Sequence, residues 1–102
     1  STINKTLLYL ARFGQGYPRE IAINFDISIN MVQKQLEKLE RGGILVSKLI
    51  GKTRIYLWNP RYLFKKELLV LLEKALEILS ERELKKYYFK RTRPRRTGKP
   101  LW

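Results

Sequence analysis

The stretch "SINMVQKQLEKLERGG", residues 28–43, decides how the chain is read. Ser28 offers a side-chain oxygen to the free amides of a helix starting behind it, and Gly42-Gly43 supplies a stop. At 100° per residue, Val32, Leu36 and Leu39 fall within about 60° of one another, with Ile29 beside them, so this face packs inward. Asn30, Lys34, Glu37 and Arg41 lie opposite, flanked by Gln33 and Lys38. The inner face says only that the helix packs. Whether the outer face meets a partner or is merely wet depends on its surroundings.

Upstream, "TINKTLLYLARFGQG" (2–16) places Ile3, Leu7, Leu10 and Ala11 at helical spacing and ends at Gly14 and Gly16, where a left-handed backbone costs little. In "YPREIAINFDIS" (17–28), Pro18 suits a first helical turn, and Ile21, Ala22 and Phe25 form one short apolar face. Asp26 then breaks the pattern, as a residue that tolerates positive φ in a tight turn. Downstream, "ILVSKLIGKTRIYLWNP" (44–60) changes to strand character, with Gly51-Lys52 as a two-residue hairpin turn and Pro60 ending the second strand. From Tyr62 to about Phe89 the pattern is helical again. Leu68, Leu71, Leu72, Ala75 and Leu79 form one stripe, Leu69 and Leu76 lie on a second, and two stripes need two surfaces. Within it "SERE" (80–83) fits a capping box, which leaves open whether the helix stops at Ser80 or runs through.

The composition narrows the function. With 102 residues, 44% of them hydrophobic, one domain with a modest core and an appendage is expected. The absence of cysteine and histidine excludes disulfides, thiolate or imidazole metal sites, and Ser-His or Cys-His catalysis. Scattered glutamates and no phosphate loop or nucleophile motif add to that: no enzyme and no cofactor are expected. The longest apolar run, "LLVLL" at 68–72, falls far short of the ~20 residues that span a bilayer, and no signal peptide opens the chain. A cytoplasmic, nucleoid-associated protein without membrane contact is the expectation. A net charge of +13 implies a polyanionic partner. That charge is uneven: residues 1–84 carry 14 Lys/Arg against 9 Asp/Glu, whereas 85–102 carry 8 and no acid. The end, "KRTRPRRTGKPLW" (90–102), reads as an extended or disordered basic arm.

The order helix, helix-turn-helix, hairpin, helix resembles the winged helix-turn-helix of bacterial and archaeal regulators, ArsR-like first and MarR-like second. Ile21, Ala22, the turn Phe25-Asp26-Ile27-Ser28, then Val32, Leu36, Leu39, Gly43, Ile44 and Leu45 fall at the family's apolar and small positions. Gly51, Tyr56, Asn59 and Pro60 resemble its wing tip and the Asn-Pro that closes the second strand. The likeness spans roughly residues 6–60. Asp26 replaces the usual glycine, and Asn30, Met31, Gln33 and Lys34 replace the usual Ser/Thr cluster and Arg. The Cys and His through which many relatives sense metals are missing.

The resemblance implies a mainly α fold with a β-hairpin wing and a long C-terminal helix. It divides into a DNA-binding domain over 1–60, a dimerisation helix over 61–89 and the arm over 90–102. In a helix-turn-helix the first outer turn of the recognition helix enters the major groove. Asn30 and Gln33 suit paired hydrogen bonds to adenine, Lys34 suits guanine or a phosphate, and Met31 suits a thymine methyl. Lys38, Arg41, Lys48, Lys52, Thr53 and Arg54 are the backbone and wing candidates. Leu69, Leu72, Leu76 and Leu79 are candidates for a homodimer interface. In the arm, Lys90, Arg91, Arg93, Arg95, Arg96 and Lys99 suit phosphates or the minor groove, while Tyr87, Tyr88 and Phe89 are expected to pack on the domain. Double-stranded DNA is the expected partner. RNA bound through the arm, or an acidic protein in a larger assembly, is the alternative.

Overall fold

The computed structural model describes residues 1–89. Helix α1 (Thr2–Phe13) is capped by the Ser1 hydroxyl and stops at Gly14, whose φ of 85° turns its N–H back onto the Leu10 carbonyl at 2.8 Å. A two-residue strand β1 (Gln15–Gly16) leads into α2 (Pro18–Phe25). Asp26 ends α2 in the left-handed region (φ 56°, ψ 51°), and the Ile27 N–H closes the turn on the Ala22 carbonyl at 3.0 Å. The position where the resembled family carries glycine therefore keeps the glycine-like backbone, at the modest cost that an aspartate incurs there.

Helix α3 (Ile29–Arg41) starts as its sequence predicts: the Ser28 hydroxyl accepts from the Asn30 N–H at 3.2 Å. Val32, Leu36 and Leu39 are buried, while Ile29, expected beside them, is 40% exposed. Gly43, at φ 80°, lets the Ile44 N–H reach the Leu39 carbonyl, and the chain leaves as a strand. Strands β2 (Leu45–Ile50) and β3 (Thr53–Trp58) pair antiparallel from Leu45↔Trp58 to Ile50↔Thr53, which leaves Gly51-Lys52 as the turn.

Strand β1 adds to the outer edge of β3, giving the order β1-β3-β2, a third strand that the sequence did not disclose. Gly16 makes it possible, because a Cβ there would meet the Tyr9 ring at 2.9 Å. Asn59 locks the base of the wing: its amide donates to the Gly43 carbonyl at 2.8 Å and its side-chain oxygen accepts from the Arg61 N–H at 2.9 Å. The Trp58 indole N–H donates to the Leu10 carbonyl at 3.0 Å, which ties the wing to α1.

The C-terminal element differs from the expected long helix. Helix α4 covers Lys65–Ile78, after a turn through Tyr62, and Leu79 is extended. Ser80 and Glu83 form a reciprocal capping box, so the question left open at "SERE" resolves as a stop and restart. The restart is one turn of helix, α5 (Glu81–Glu83), followed by a π-helical turn over Leu84–Tyr88.

That turn folds back onto α1 and α2. Tyr88 is buried, the Tyr87 ring stacks on Phe25 with centroids 5.1 Å apart, and Asn24 donates to the Tyr87 carbonyl at 3.0 Å. The Tyr88 hydroxyl is pushed up to about 12 by burial, with Glu83 and Tyr87 adding to the shift. Tyr87 and Tyr88 pack as the sequence predicts, whereas Phe89 stays about half exposed.

One face assignment is corrected. Leu72 and Leu76 are buried in the chain's own core, and Leu69 and Leu79 pack against it, so the stripe assigned to a partner is the one that α4 turns inward. The exposed apolar residues are Phe64 (57%), Leu71 (63%) and Ile78 (83%), with Leu63 and Val70 beside them. The inward choice follows from α1: α4 lies along it, and the side chains facing α1 must be apolar. Among the described residues no helix is long and apolar enough to cross a membrane.

Candidate nucleic-acid interface

The outer face of α3 is built by its inner one. Because Val32, Leu36 and Leu39 are fixed in the core, Asn30, Met31, Gln33 and Lys34 emerge together at the N-terminal end, and all four are exposed. Their amides and ammonium are therefore available to an incoming ligand, and the unsatisfied N–H groups of the first turn point the same way. Lys38 and Arg41 continue along the exposed side toward the C-terminus.

The wing contributes a second exposed set: Lys48, Lys52, Thr53 and Arg54. Lys52 sits in the turn itself, and Lys48 and Arg54 lie on the two strands leading to it. At the tip the aliphatic Leu49 and Ile50 are also exposed. The cations follow from the sequence pattern; the exposure of both aliphatics does not, because a strand-like run gives no sign of which positions leave the core.

Helix and wing are joined by a polar chain that the sequence reading missed. The Ser47 hydroxyl donates to the Glu40 carboxylate at 2.7 Å, and Arg54 donates to the Ser47 oxygen at 3.1 Å. Residues 40 and 47 are seven apart in sequence but on different elements, so no periodicity rule links them.

Two carboxylates, Glu37 and Glu40, lie near the junction. Tyr56, buried on β3, has its hydroxyl raised first by burial and then by Glu40 and Glu37, with Arg54 opposing. The field of both glutamates therefore reaches the wing strand. Glu37 is exposed midway along α3 and would repel a phosphate placed there.

The arm residues Lys90, Arg91, Arg93, Arg95, Arg96 and Lys99 lie outside the described residues. What is placed is the chain leading to them, held on the C-terminal end of α2 by Asn24 and Phe25, three residues before the cap of α3. Among the described residues no group of three or more His, Cys, Asp or Glu could hold a metal ion.

Three comparisons bear on this geometry. In sequence, no curated protein matches the chain. Two structures of a doubly substituted mutant of Lactococcus lactis ZitR are similar in fold. The apo form has a TM-score of 0.58 at 19% identity, covering 83% of this chain and 73% of that one. The second has a TM-score of 0.53 at 17% identity, covering 83% and 66%. Residues 21–59, which hold the helix-turn-helix and the wing, match the TBPIP/Hop2 winged helix domain. The fold is therefore a winged helix, mostly helical with a small three-stranded antiparallel sheet.

Proposed function

We propose that the protein binds double-stranded DNA in a sequence-specific manner, as a dimeric transcriptional regulator of the ArsR-like kind, cytoplasmic and nucleoid-associated. The observation that carries this reading is the joint exposure of two polar or cationic sets on linked elements. Asn30, Met31, Gln33 and Lys34 occupy the first two turns of α3, and Lys48, Lys52 and Arg54 occupy the wing braced against it by Ser47. The first set has the donors, acceptors and methyl-packing group that base edges in a major groove require. The second has the cations that phosphates require. No catalytic role is assigned to any residue, and the function is binding alone.

The dimer is proposed through the outer seam of α4. Phe64, Leu68, Leu71, Ala75 and Ile78 follow one another at alternating spacings of four and three, the heptad pattern of a helix that packs on another helix. A two-fold pair would present two copies of α3 to half-sites about 34 Å apart.

Selection of bound fragments from a random duplex pool, run beside a single-stranded RNA pool at the same salt, tests the partner. Enrichment of a duplex motif is expected. Lys34→Ala should then weaken the selected duplex far more than random DNA, whereas Lys52→Ala should weaken both alike and lower the salt slope. Enrichment from the RNA pool alone would replace this reading with RNA binding led by the arm.

A further inference from the structure

We propose that the wing tip is an apolar wedge that enters the minor groove of the bound duplex, opens a base step and bends the DNA. This rests on the duplex binding proposed above, and it assigns the tip a task that its cations do not perform. Leu49 and Ile50 are 60% and 57% exposed at the end of β2, immediately before the turn. Gly51, with φ of 63°, makes that turn tight, and among the described residues nothing covers these two side chains.

The register places one aliphatic on each face of the hairpin. Leu49 is opposite Arg54, on the face that carries Ser47 and Tyr56, and Ile50 is opposite Thr53, on the other. The tip is thus apolar on both sides and surrounded by Lys48, Lys52 and Arg54. A tip that only met phosphates would gain nothing from two branched side chains, and an exposed strand end normally excludes them because they invite aggregation. Cations with Leu or Ile between them are what a wedge needs: the charges hold the backbone while the aliphatic side chain replaces base stacking.

Size supports the same conclusion. Two strands lie about 4.8 Å apart and carry side chains on both faces, whereas the minor groove is only about 6 Å wide. The tip enters only if the groove widens, and unstacking a step widens it. Pyrimidine–purine steps open most easily, so the wing should favour TA or CA/TG under it without making any base hydrogen bond. A membrane would also accept cations and aliphatics, but two side chains are a small apolar area for lasting insertion, and the wing is braced to α3 by Ser47.

Bending is read by ligase-catalysed ring closure of a duplex of about 120 bp, shorter than the persistence length of about 150 bp. Duplex retention by anisotropy and retention on anionic phosphatidylserine vesicles are measured on the same preparations. The wild-type chain should raise circle yield about tenfold, more with a central TA step than with an A-tract. The Leu49→Ser/Ile50→Ser double variant alters only exposed side chains and should keep its far-ultraviolet spectrum and its duplex retention while losing the gain in circles. Lys52→Ala should need more protein but reach the wild-type yield at saturation. Retention without added circles, or circles unaffected by the double variant, overturns the wedge and leaves duplex binding standing. No duplex retention overturns both. Vesicle retention that the double variant abolishes, with no gain in circles, assigns the tip to a membrane instead.

Discussion

Leu71 and Leu76 lie five residues apart on α4, and the structure assigns them opposite consequences. Leu71 is 63% exposed, with Phe64 and Ile78 on the same seam at 57% and 83%, whereas Leu76 is buried. Those three side chains amount to about two fully exposed large apolar groups per chain, or about four in a two-fold pair, worth roughly 6–12 kcal/mol if wholly buried. Association itself costs at least about 4 kcal/mol, so the seam supports at most about 8 kcal/mol, a Kd near 1 μM. Sedimentation equilibrium across concentrations bracketing that value should show wild-type chains self-associating. Leu71→Glu, which brings two carboxylates into the seam, should leave a folded monomer with unchanged thermal stability. Leu76→Ala should instead cost about 2–5 kcal/mol of fold stability, because it empties a packed site. An undiminished dimer in Leu71→Glu refutes the outer seam. A Leu76→Ala protein that loses the dimer but not its Tm would return the interface to the inner stripe.

Three further outcomes test the packing behind the site. Asn24→Ala removes the bond to the Tyr87 carbonyl and should speed amide exchange over residues 84–89 while leaving α3 protected; a uniform change would show that the turn is not a separate unit. Asn59→Ala removes both bonds at the base of the wing and should lower stability by about 1–3 kcal/mol in urea titrations; no loss would mean that those polar groups find water instead. Tyr88 ionises near 10 when unfolded and near 12 when folded, so its contribution is whole below pH 10 and is lost as pH rises toward 12. Tyr88→Phe should flatten the fall of urea midpoints across that window, and an equally steep fall would rule the group out.

The helix-turn-helix and the wing were legible because burial itself writes their pattern. Val32, Leu36 and Leu39 repeat at the helical period, and the strand-like runs on either side of Gly51-Lys52 leave no other turn. Strand β1 was not legible: two residues have no period, and its cause is the missing side chain of Gly16 beside the Tyr9 ring. The faces of α4 were misassigned for a different reason. Its inner residues Leu69, Leu72, Leu76 and Leu79 and its outer residues Phe64, Leu71 and Ile78 are both apolar rows about 120° apart, with Leu68 and Ala75 between them. Periodicity shows that there are two rows; only the packing of α4 on α1 decides which one turns inward. Ser47 was invisible because its partners, Glu40 and Arg54, lie on different elements.

Total charge also says little about where a polyanion would lie. Along α3 the first turn has no acidic residue, while Glu37 and Glu40 lie in the second half, interleaved with Lys38 and Arg41. Ser47 donates to Glu40 and in turn accepts from Arg54, but Glu37 stands exposed. A duplex laid along the whole helix would meet that carboxylate at a phosphate. One that meets only the first two turns finds the positive end of the helix dipole together with Asn30, Gln33 and Lys34. On the binding proposed above, the Glu37 carboxylate would separate two contact zones, the start of α3 and the wing tip, and disfavour a single continuous footprint. Such a division suits a ligand with two grooves, in which base edges are read at one zone and the backbone is held at the other.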